Sequence, residues 1–303
     1  MKSFFKQLYR YSHARPYRHN ETLWPYVKIT RSGSGEISTV FYKGQLIPIV
    51  SLSSFKNACQ GNALLVATGP SVNELNFDKI PMMPAIGVNG AFCLYNHVDF
   101  RFYIIVDTGF IDQRADIVRD IIKCKGLVLF LTMHGLVRII DKFSLLAIKC
   151  QLSIVEDASC KIFYPKINRD SLYKEYYQDP DVFFSKNDKR IGYSRNICHG
   201  VFDAGTVVYW ALQIISYLGY KQVYIAGLDM GRFHLPRFYE TDLNKSPTFL
   251  PEVIESIIIP AFTHASEVMK NHNVVIRNLS MQSAIDDSII EKIDYKKFFR
   301  NFI

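Results

Sequence analysis

The sequence predicts an α/β protein, a doubly wound, mostly parallel sheet with an inserted lid. Three observations predict it. Short apolar runs recur from residue 63 onward, spaced widely enough to leave room for helices. Helical patterns fill the intervals, and that alternation of β and α is what a parallel sheet needs. Four of the runs end on Gly, Asn or Asp, where open sheets of this kind bind ligands at the carboxyl ends of their strands.

The elements follow in order. Residues 1–60 form an N-terminal segment rich in basic and aromatic residues, without clear alternation up to about residue 35. Within it, "EISTVFYKGQLIPIVSL" (36–52) reads as a hairpin turning at Lys43-Gly44. "ALLVA" (63–67) has the look of a strand buried on both faces. "PAIGVN" (84–89), "FRFYIIVD" (100–107), "GLVLFLT" (126–132), "KQVYIAGLD" (221–229) and "NVVIRNLS" (273–280) are further strands. "DQRADIVRDIIKC" (112–124) places Ile117, Ile121 and Cys124 on one helical stripe. "GTVVYWALQIISYLGY" (205–220) is apolar almost all round, so it is a deeply packed helix with Gly219 as its stop. "PEVIESIIIPAFTHASEVMKNH" (251–272) is a helix that Pro260 should kink or break. The polar, tyrosine-rich stretch of about 150–200 reads as an insertion or lid, and 231–250 as a second loop, so residues 61–286 make one catalytic-sized domain. Residues 287–303 read as a basic amphipathic C-terminal helix.

The 303 residues suffice for a full core. A net charge of +8 favours anionic partners such as nucleic acid, anionic headgroups or a phosphorylated glycan. No apolar run reaches the roughly 18 residues of a spanning helix, and the basic N-terminus lacks the apolar region of a secretory signal. The six cysteines are scattered without Cys-x-x-Cys pairs, so reduced, mostly buried thiols are expected and a structural zinc site is not.

The chemistry is expected at the strand ends. Thr68-Gly69-Pro70-Ser71 follows the first parallel strand, with Ser71 and Glu74 in the spacing of a capping box. Gly69 allows an anion to approach backbone amides there. The turn matches neither Gly-x-Gly-x-x-Gly nor Gly-x-x-x-x-Gly-Lys-[Ser/Thr], which argues against a dinucleotide fold and a P-loop kinase. Asn89-Gly90, Asp107 and Gly227-Leu228-Asp229 end three further strands, with Arg114 soon after Asp107. Gly205-Thr206 opens the long helix, with His199 and Asp203 just before it. "GRFHLPRFYET" (231–241) gathers Arg232, His234, Arg237 and Tyr239, a set suited to phosphate and carboxylate groups.

In series, Gly-Pro-Ser, Val-Asn-Gly, "VDTGFIDQR", the Gly-rich helix entry, "LGYKQVYIAGLDM" and "RFYE" resemble the bacterial transferases that use a CMP-activated ulosonic acid. The order is closest to the lipopolysaccharide-core transferase for 3-deoxy-D-manno-oct-2-ulosonic acid (Kdo). It is more distantly similar to bacterial sialyltransferases that use CMP-sialic acid. The resemblance covers 62 to about 285. It implies a Rossmann-like, GT-A-like domain that needs no metal or other cofactor, the CMP-sugar being substrate. It implies that Thr68, Gly69, Pro70, Ser71, Asn89 and Gly90 hold the nucleotide, that Gly205 and Thr206 face the donor, and that Gly227, Leu228 and Asp229 line the cytidine pocket. Arg114, Arg232, Arg237 and Tyr239 are expected to contact leaving group or acceptor. His264, His234 and Asp107 stand as alternatives for the base, because the sialyltransferases carry their histidine at a different spacing. The implied partners are a CMP-sugar, a glycan or glycolipid acceptor and an anionic membrane surface, with no nucleic acid and with homo-oligomerisation left open. The implied place is cytoplasmic, peripheral at the inner face of the inner membrane. A nucleotide-binding, membrane-associated protein without catalysis is the rival reading.

Overall fold

In the computed structural model, which describes residues 2–301, the chain opens on helix α1 (Lys2–Ser12). Its sequence shows no single apolar stripe because both sides carry aromatics. Phe5 and Tyr9 pack on Trp24, whereas Phe4, Leu8 and Tyr11 are exposed. A three-stranded antiparallel sheet follows, β1 (Val27–Arg31), β2 (Ile37–Tyr42) and β3 (Gln45–Ile47), with the expected turn at Lys43-Gly44.

The main sheet begins with β4 (Asn62–Val66), β5 (Ala85–Val88) and β6 (Phe100–Ile105). Helices α2 (Thr108–Gln113) and α3 (Ala115–Lys123) lead to β7 (Val128–Leu131), and α4 (Met133–Phe143) leads to β8 (Gln151–Ile154). The expected single helix over 112–124 is thus two, and the residues it buries are Val118, Ile121 and Ile122 rather than Ile117 and Cys124. Strand β8 was hidden in the sequence by Ser153. That residue is fully buried in the strand, its hydroxyl bonded to the Val50 carbonyl at 2.9 Å.

The stretch after β8 contains α5 (Leu172–Tyr176) and an antiparallel pair, β9 (Val182–Phe184) and β10 (Gly192–Ser194). The expectation of an irregular lid needs correction. Tyr193, Ile197, Val201 and Phe202 are buried and join the same apolar cluster as α6 (Val207–Leu218). Buried Gln213 of α6 receives the Ser194 and Phe202 N–H groups, both at 3.0 Å. Every residue of α6 from Val208 to Leu218 is buried, and Gly219 ends it in the left-handed conformation (φ 101°), as expected.

Strand β11 (Gln222–Ala226) follows, then α7 (Leu250–Val253), a π-helical turn (Ile254–Ile258) and α8 (Ile259–Asn271). The break falls just before Pro260, which supplies no N–H to the preceding turn. Strands β12 (Val275–Asn278) and β13 (Glu291–Lys292) and the one-turn helix α9 (Tyr295–Phe298) complete the chain. The expected amphipathic helix over 287–303 does not form. Ile290, Ile293, Tyr295 and Phe299 are instead buried against the core; Ile303 lies outside the described residues.

The sheet runs β13-β12-β11-β4-β5-β6-β7-β8, every neighbour parallel. The chain walks from β4 to β8 on one side, then returns to β11 on the other, so the switch point lies between β4 and β11. Helices α3 and α4 and the N-terminal sheet share the apolar cluster on one face; α6, α8 and the insertion share the other. Of the cysteines only Cys150 and Cys198 are buried, and Cys93 is exposed, contrary to the expectation of mostly buried thiols.

Candidate active site

The turn after β4 is sewn to the turn after β11. Ala67 N–H donates to the Ala226 carbonyl at 2.8 Å and Gly69 N–H to the Gly227 carbonyl at 2.9 Å, so the ladder continues past both strands. Buried Ser71 donates its N–H to Asp229 Oδ2 at 2.8 Å and its hydroxyl to Asp229 Oδ1. A Cβ on Gly69 would collide with the Asp229 carboxylate, so this close approach requires glycine. Ser280, beyond β12, joins the knot through Ser71 Oγ (2.7 Å) and Gly227 N–H (3.2 Å). Asn278 Nδ2 donates to the Leu228 carbonyl at 3.0 Å. Ser280 and Asn278 went unread because neither follows a glycine or ends a recognised motif.

This corrects the reading of Ser71. Pro70–Glu74 is a 3₁₀ turn with no side-chain cap, so there is no capping box and no helix N-terminus for an anion. Ser71 and Asp229 satisfy one another and build the floor of the site.

Three neighbouring positions are strained. Asn89, Met230 and Arg232 take positive φ values of 47°, 43° and 51°. Asn89 ends β5, and its carbonyl accepts the Tyr103 hydroxyl at 2.7 Å. Gly90 lies under Tyr239, whose ring a Cβ there would strike. Tyr239 is one anchor of the 231–250 loop; another is Phe238 N–H on the Thr68 carbonyl at 3.4 Å. Burial pushes the Tyr239 phenol up to about 12, so it remains a neutral hydrogen-bond donor.

The loop closes around Glu240, which sequence reasoning missed. Its side chain is fully buried, and Oε1 accepts Arg237 at 2.9 Å and Arg114 at 3.1 Å. Burial opposes its ionisation, but Arg237, hydrogen bonds and Arg114 outweigh that and hold the carboxyl below its ordinary value. Two guanidinium groups on one carboxylate leave a net positive charge beside the strand ends. Arg114 also lies 5.7 Å from the Tyr239 ring centroid.

Among the described residues, four buried side-chain polar atoms have no hydrogen-bond partner in the chain: Asn89 Oδ1, Arg114 Nε, and Arg232 Nε and Nη2. All three residues were singled out from the sequence. Arg232 reaches Glu74 at 3.2 Å and lies 3.8 Å from Asp229. Buried polar groups are nearly always paired, so their concentration on these residues marks where a polar ligand belongs.

The remaining candidates are spread over the molecule. Asp107 is exposed at the end of β6 and accepts Gly109 N–H at 2.7 Å, capping α2. His234 is exposed in the loop. His264 is only 7% exposed, on α8, with Nε2 3.0 Å from the Phe183 carbonyl; it fastens β9 to the helix, and burial holds it neutral. The structure does not bring it to the strand ends. His199 pairs with Asp179 at 2.5 Å. Its neighbour Cys198 contacts Tyr217 in the last turn of α6. Thr206 caps α6, but Gly205 N–H is engaged by Asp203 at 3.1 Å.

Residues 50–296 match the family described as 3-deoxy-D-manno-octulosonic acid transferase WaaZ. The chain belongs to this Kdo transferase family. It is 22% identical over 249 residues to the probable 3-deoxy-manno-octulosonic acid transferase of Escherichia coli K12, covering 78% of this chain and 83% of that one. It is 24% identical over 244 residues to the Salmonella typhimurium LT2 protein of the same description, covering 77% and 86%. It is similar in part to the solved sialyltransferase CstII of Campylobacter jejuni in complex with a substrate analogue, cytidine-5'-monophosphate. That likeness has 11% identity and a TM-score of 0.42, covers 78% of this chain and 86% of that one, and is too slight to carry a site across. As a member of the Kdo transferase family the protein is a glycosyltransferase, and the rival reading of a non-catalytic binding protein falls. Among the described residues no helix is long and apolar enough to cross a membrane.

Proposed function

We propose that the protein moves Kdo from a CMP-activated donor to a hydroxyl of a lipopolysaccharide-core or related surface glycan, with inversion and without a metal. The observation that carries this reading is the set of unpartnered polar atoms on Asn89, Arg114 and Arg232 around the switch point. A CMP-ulosonic acid is an anion with a phosphate and a carboxylate on one anomeric carbon. Guanidinium N–H groups match both. Asn89 Oδ1 is an acceptor for a ribose hydroxyl or the cytosine amino group. As the bond to phosphate breaks, charge builds on the leaving group and an oxocarbenium-like centre forms. Arg232 and the neutral Tyr239 phenol stabilise that phosphate, a task some transferases give to a metal. Attack from the opposite face inverts the anomeric centre.

The same reading places the protein at the inner face of the cytoplasmic membrane, where a lipid-anchored acceptor lies. Support comes from α1, which leaves Phe4, Leu8 and Tyr11 exposed beside Lys6 and Arg10.

The test is thermal unfolding with CMP, CDP, UDP, GDP and NAD, since a ligand of the native state raises its stability. CMP should raise the midpoint. A shift with UDP or NAD and none with CMP sinks the reading. Turnover with CMP-sialic acid but not CMP-Kdo would keep the transferase and change the sugar.

A further inference from the structure

We propose that the cavity over the carboxyl ends of β6, β7 and β8 holds the acceptor sugar, and that Asp157 takes the proton from its attacking hydroxyl. The inference rests on the transferase reading above and adds the second substrate's site and the base.

The cavity has a volume of about 410 Å³, and its walls include Thr108, Thr132, His134, Asp157, Asp203 and Trp210. They come from the ends of three adjacent strands and the entry to α6. No Lys or Arg is among its described lining residues. A donor bearing phosphate and carboxylate would meet Asp157 and Asp203 here without a compensating cation, and like-charge contact is costly. A sugar offering hydroxyl groups finds acceptors in the two carboxylates and Thr108, with an apolar wall in Trp210. The cations nearest this cavity are engaged outside its lining, Arg31 on Glu156 and Arg169 on the Asp203 carbonyl; at the other half of the sheet Arg232 is beside Asp229 after β11, and Arg114 and Arg237 are held by Glu240. Charge therefore divides the carboxyl edge into an anion side over β11, β4 and β5 and a hydroxyl side over β6 to β8. The ends of β6, Asp107 and Thr108, are the border where the two substrates meet.

Asp157 is the carboxylate placed to act. Its backbone is bridged to Val201, with Val201 N–H on the Glu156 carbonyl at 2.8 Å and Ala158 N–H on the Val201 carbonyl at 2.9 Å. Its Oδ1 accepts Ser159 N–H at 2.7 Å, which fixes the side chain. Burial, with help from the charge of Asp203, outweighs the Ser159 bonds and raises its pKa, which makes its carboxylate a stronger base. The other acids are engaged. Asp203 accepts Trp210 Nε1 at 2.8 Å and Gly205 N–H at 3.1 Å, so it orients the wall. Glu156 is ion-paired with Arg31 at 2.5 Å. His134 is bonded to the His19 carbonyl at 2.8 Å, and burial keeps it neutral.

In the step, the acceptor oxygen forms a bond to the anomeric carbon of the donor. The bond from that carbon to phosphate breaks, CMP leaves with its electron pair, and the hydroxyl proton passes to Asp157.

The experiment uses the full chain, CMP-Kdo, and lipopolysaccharide-core oligosaccharide freed of its lipid. Asp157→Asn should lower kcat about 10²–10⁴-fold, the usual contribution of a general base, while the thermal shift with CMP stays that of the wild type. Thr108→Val, a smaller change at the border, should raise the acceptor KM about tenfold and leave the CMP shift alone. If Asp157→Asn keeps kcat within threefold, or Thr108→Val leaves the acceptor KM unchanged, the proposal is overturned. Loss of the CMP shift in folded Asp157→Asn would make this cavity the donor's, and also overturns it. A wild-type protein that binds CMP and transfers Kdo while these variants behave normally sinks this inference alone; one that ignores CMP sinks both readings.

Discussion

Ser71 and Asp229 stand 158 positions apart in the chain, and the structure closes them into a two-point hydrogen bond, N–H and hydroxyl to one carboxylate. The contact spans the switch point. It joins the turn after β4, which starts one half of the sheet, to the turn after β11, which starts the other. Asp229 is 3% exposed, so its charge is stabilised by these donors and by Arg232 at 3.8 Å. Asp229→Ala would leave the Ser71 N–H buried without an acceptor, at a cost of about 2–4 kcal/mol with the lost bonds included. Urea denaturation should show that loss, with turnover lost beside it. A variant as stable as wild type would mean that the two turns hold without the carboxylate.

Asn89 should behave in the opposite way. Its φ of 47° strains any residue with a Cβ, and its Oδ1 has no partner in the chain. Asn89→Gly relieves the strain and keeps the carbonyl that accepts Tyr103. Stability should hold or rise by up to about 1 kcal/mol. CMP affinity should fall at least tenfold, about 1.4 kcal/mol, read as a smaller midpoint shift at fixed CMP. An unchanged shift would remove Asn89 from the nucleotide site.

The strands β4, β5, β6, β7 and β11 were legible because parallel strands buried on both faces leave continuous apolar runs; β12, with Val275 exposed and Arg277 in its middle, was legible only from the short run Val274-Val275-Ile276. Strand β8 was not, since buried Ser153 interrupts its run and is satisfied only by a distant carbonyl of Val50. The residues gathered at the switch point were legible for a related reason: glycine, asparagine and aspartate at strand ends stand out against apolar neighbours. Their partnerships were not. Nothing local says that Ser71 turns away from its own helix toward Asp229, or that Glu240 gathers Arg114 from 126 positions away. The burial of His264 was not legible, because its position in an expected helix says nothing of what covers it, and only the packing of β9 on α8 shows it covered.

The 231–250 loop should respond to acid through Glu240. Its folded carboxyl lies below its ordinary value, chiefly because Arg237 and Arg114 offset its burial. Such a group contributes stability above the unfolded pKa of about 4.3, and that contribution is lost as pH falls through the lower folded value. The loop should therefore become more sensitive to an acid-active protease as pH drops below about 4. Glu240→Gln should be cut readily at every pH, with the pH dependence of cutting within the loop flattened. If wild type and variant show the same pH dependence, the two ion pairs do not hold the loop.

The proposed membrane attachment rests on α1 and not on the C-terminal tail. The C-terminal tail cannot lie in an interface while Ile290, Ile293, Tyr295 and Phe299 are buried in the core, so deleting 288–301 should destabilise the protein rather than merely release it. Helix α1 is different. Phe5 and Tyr9 anchor it on Trp24, and Arg10 and Lys6 reach Glu21 at 2.5 and 2.9 Å. Its outer face keeps Phe4 at 64%, Leu8 at 43% and Tyr11 at 91% exposure. Positions 4, 8 and 11 follow helical spacing and make one exposed apolar stripe. A basic surface beside it would gain about 1 kcal/mol for each cation close to an anionic bilayer. The full-length protein should sediment with vesicles containing anionic lipid at low salt and be released at high salt. Replacing Phe4, Leu8 and Tyr11 together by Ser should reduce sedimentation several-fold, with the unfolding midpoint and the CMP shift unchanged, because none of the three belongs to the core. If the triple variant sediments like wild type, α1 is not the anchor; if wild type ignores the vesicles at low salt, the membrane reading fails outright.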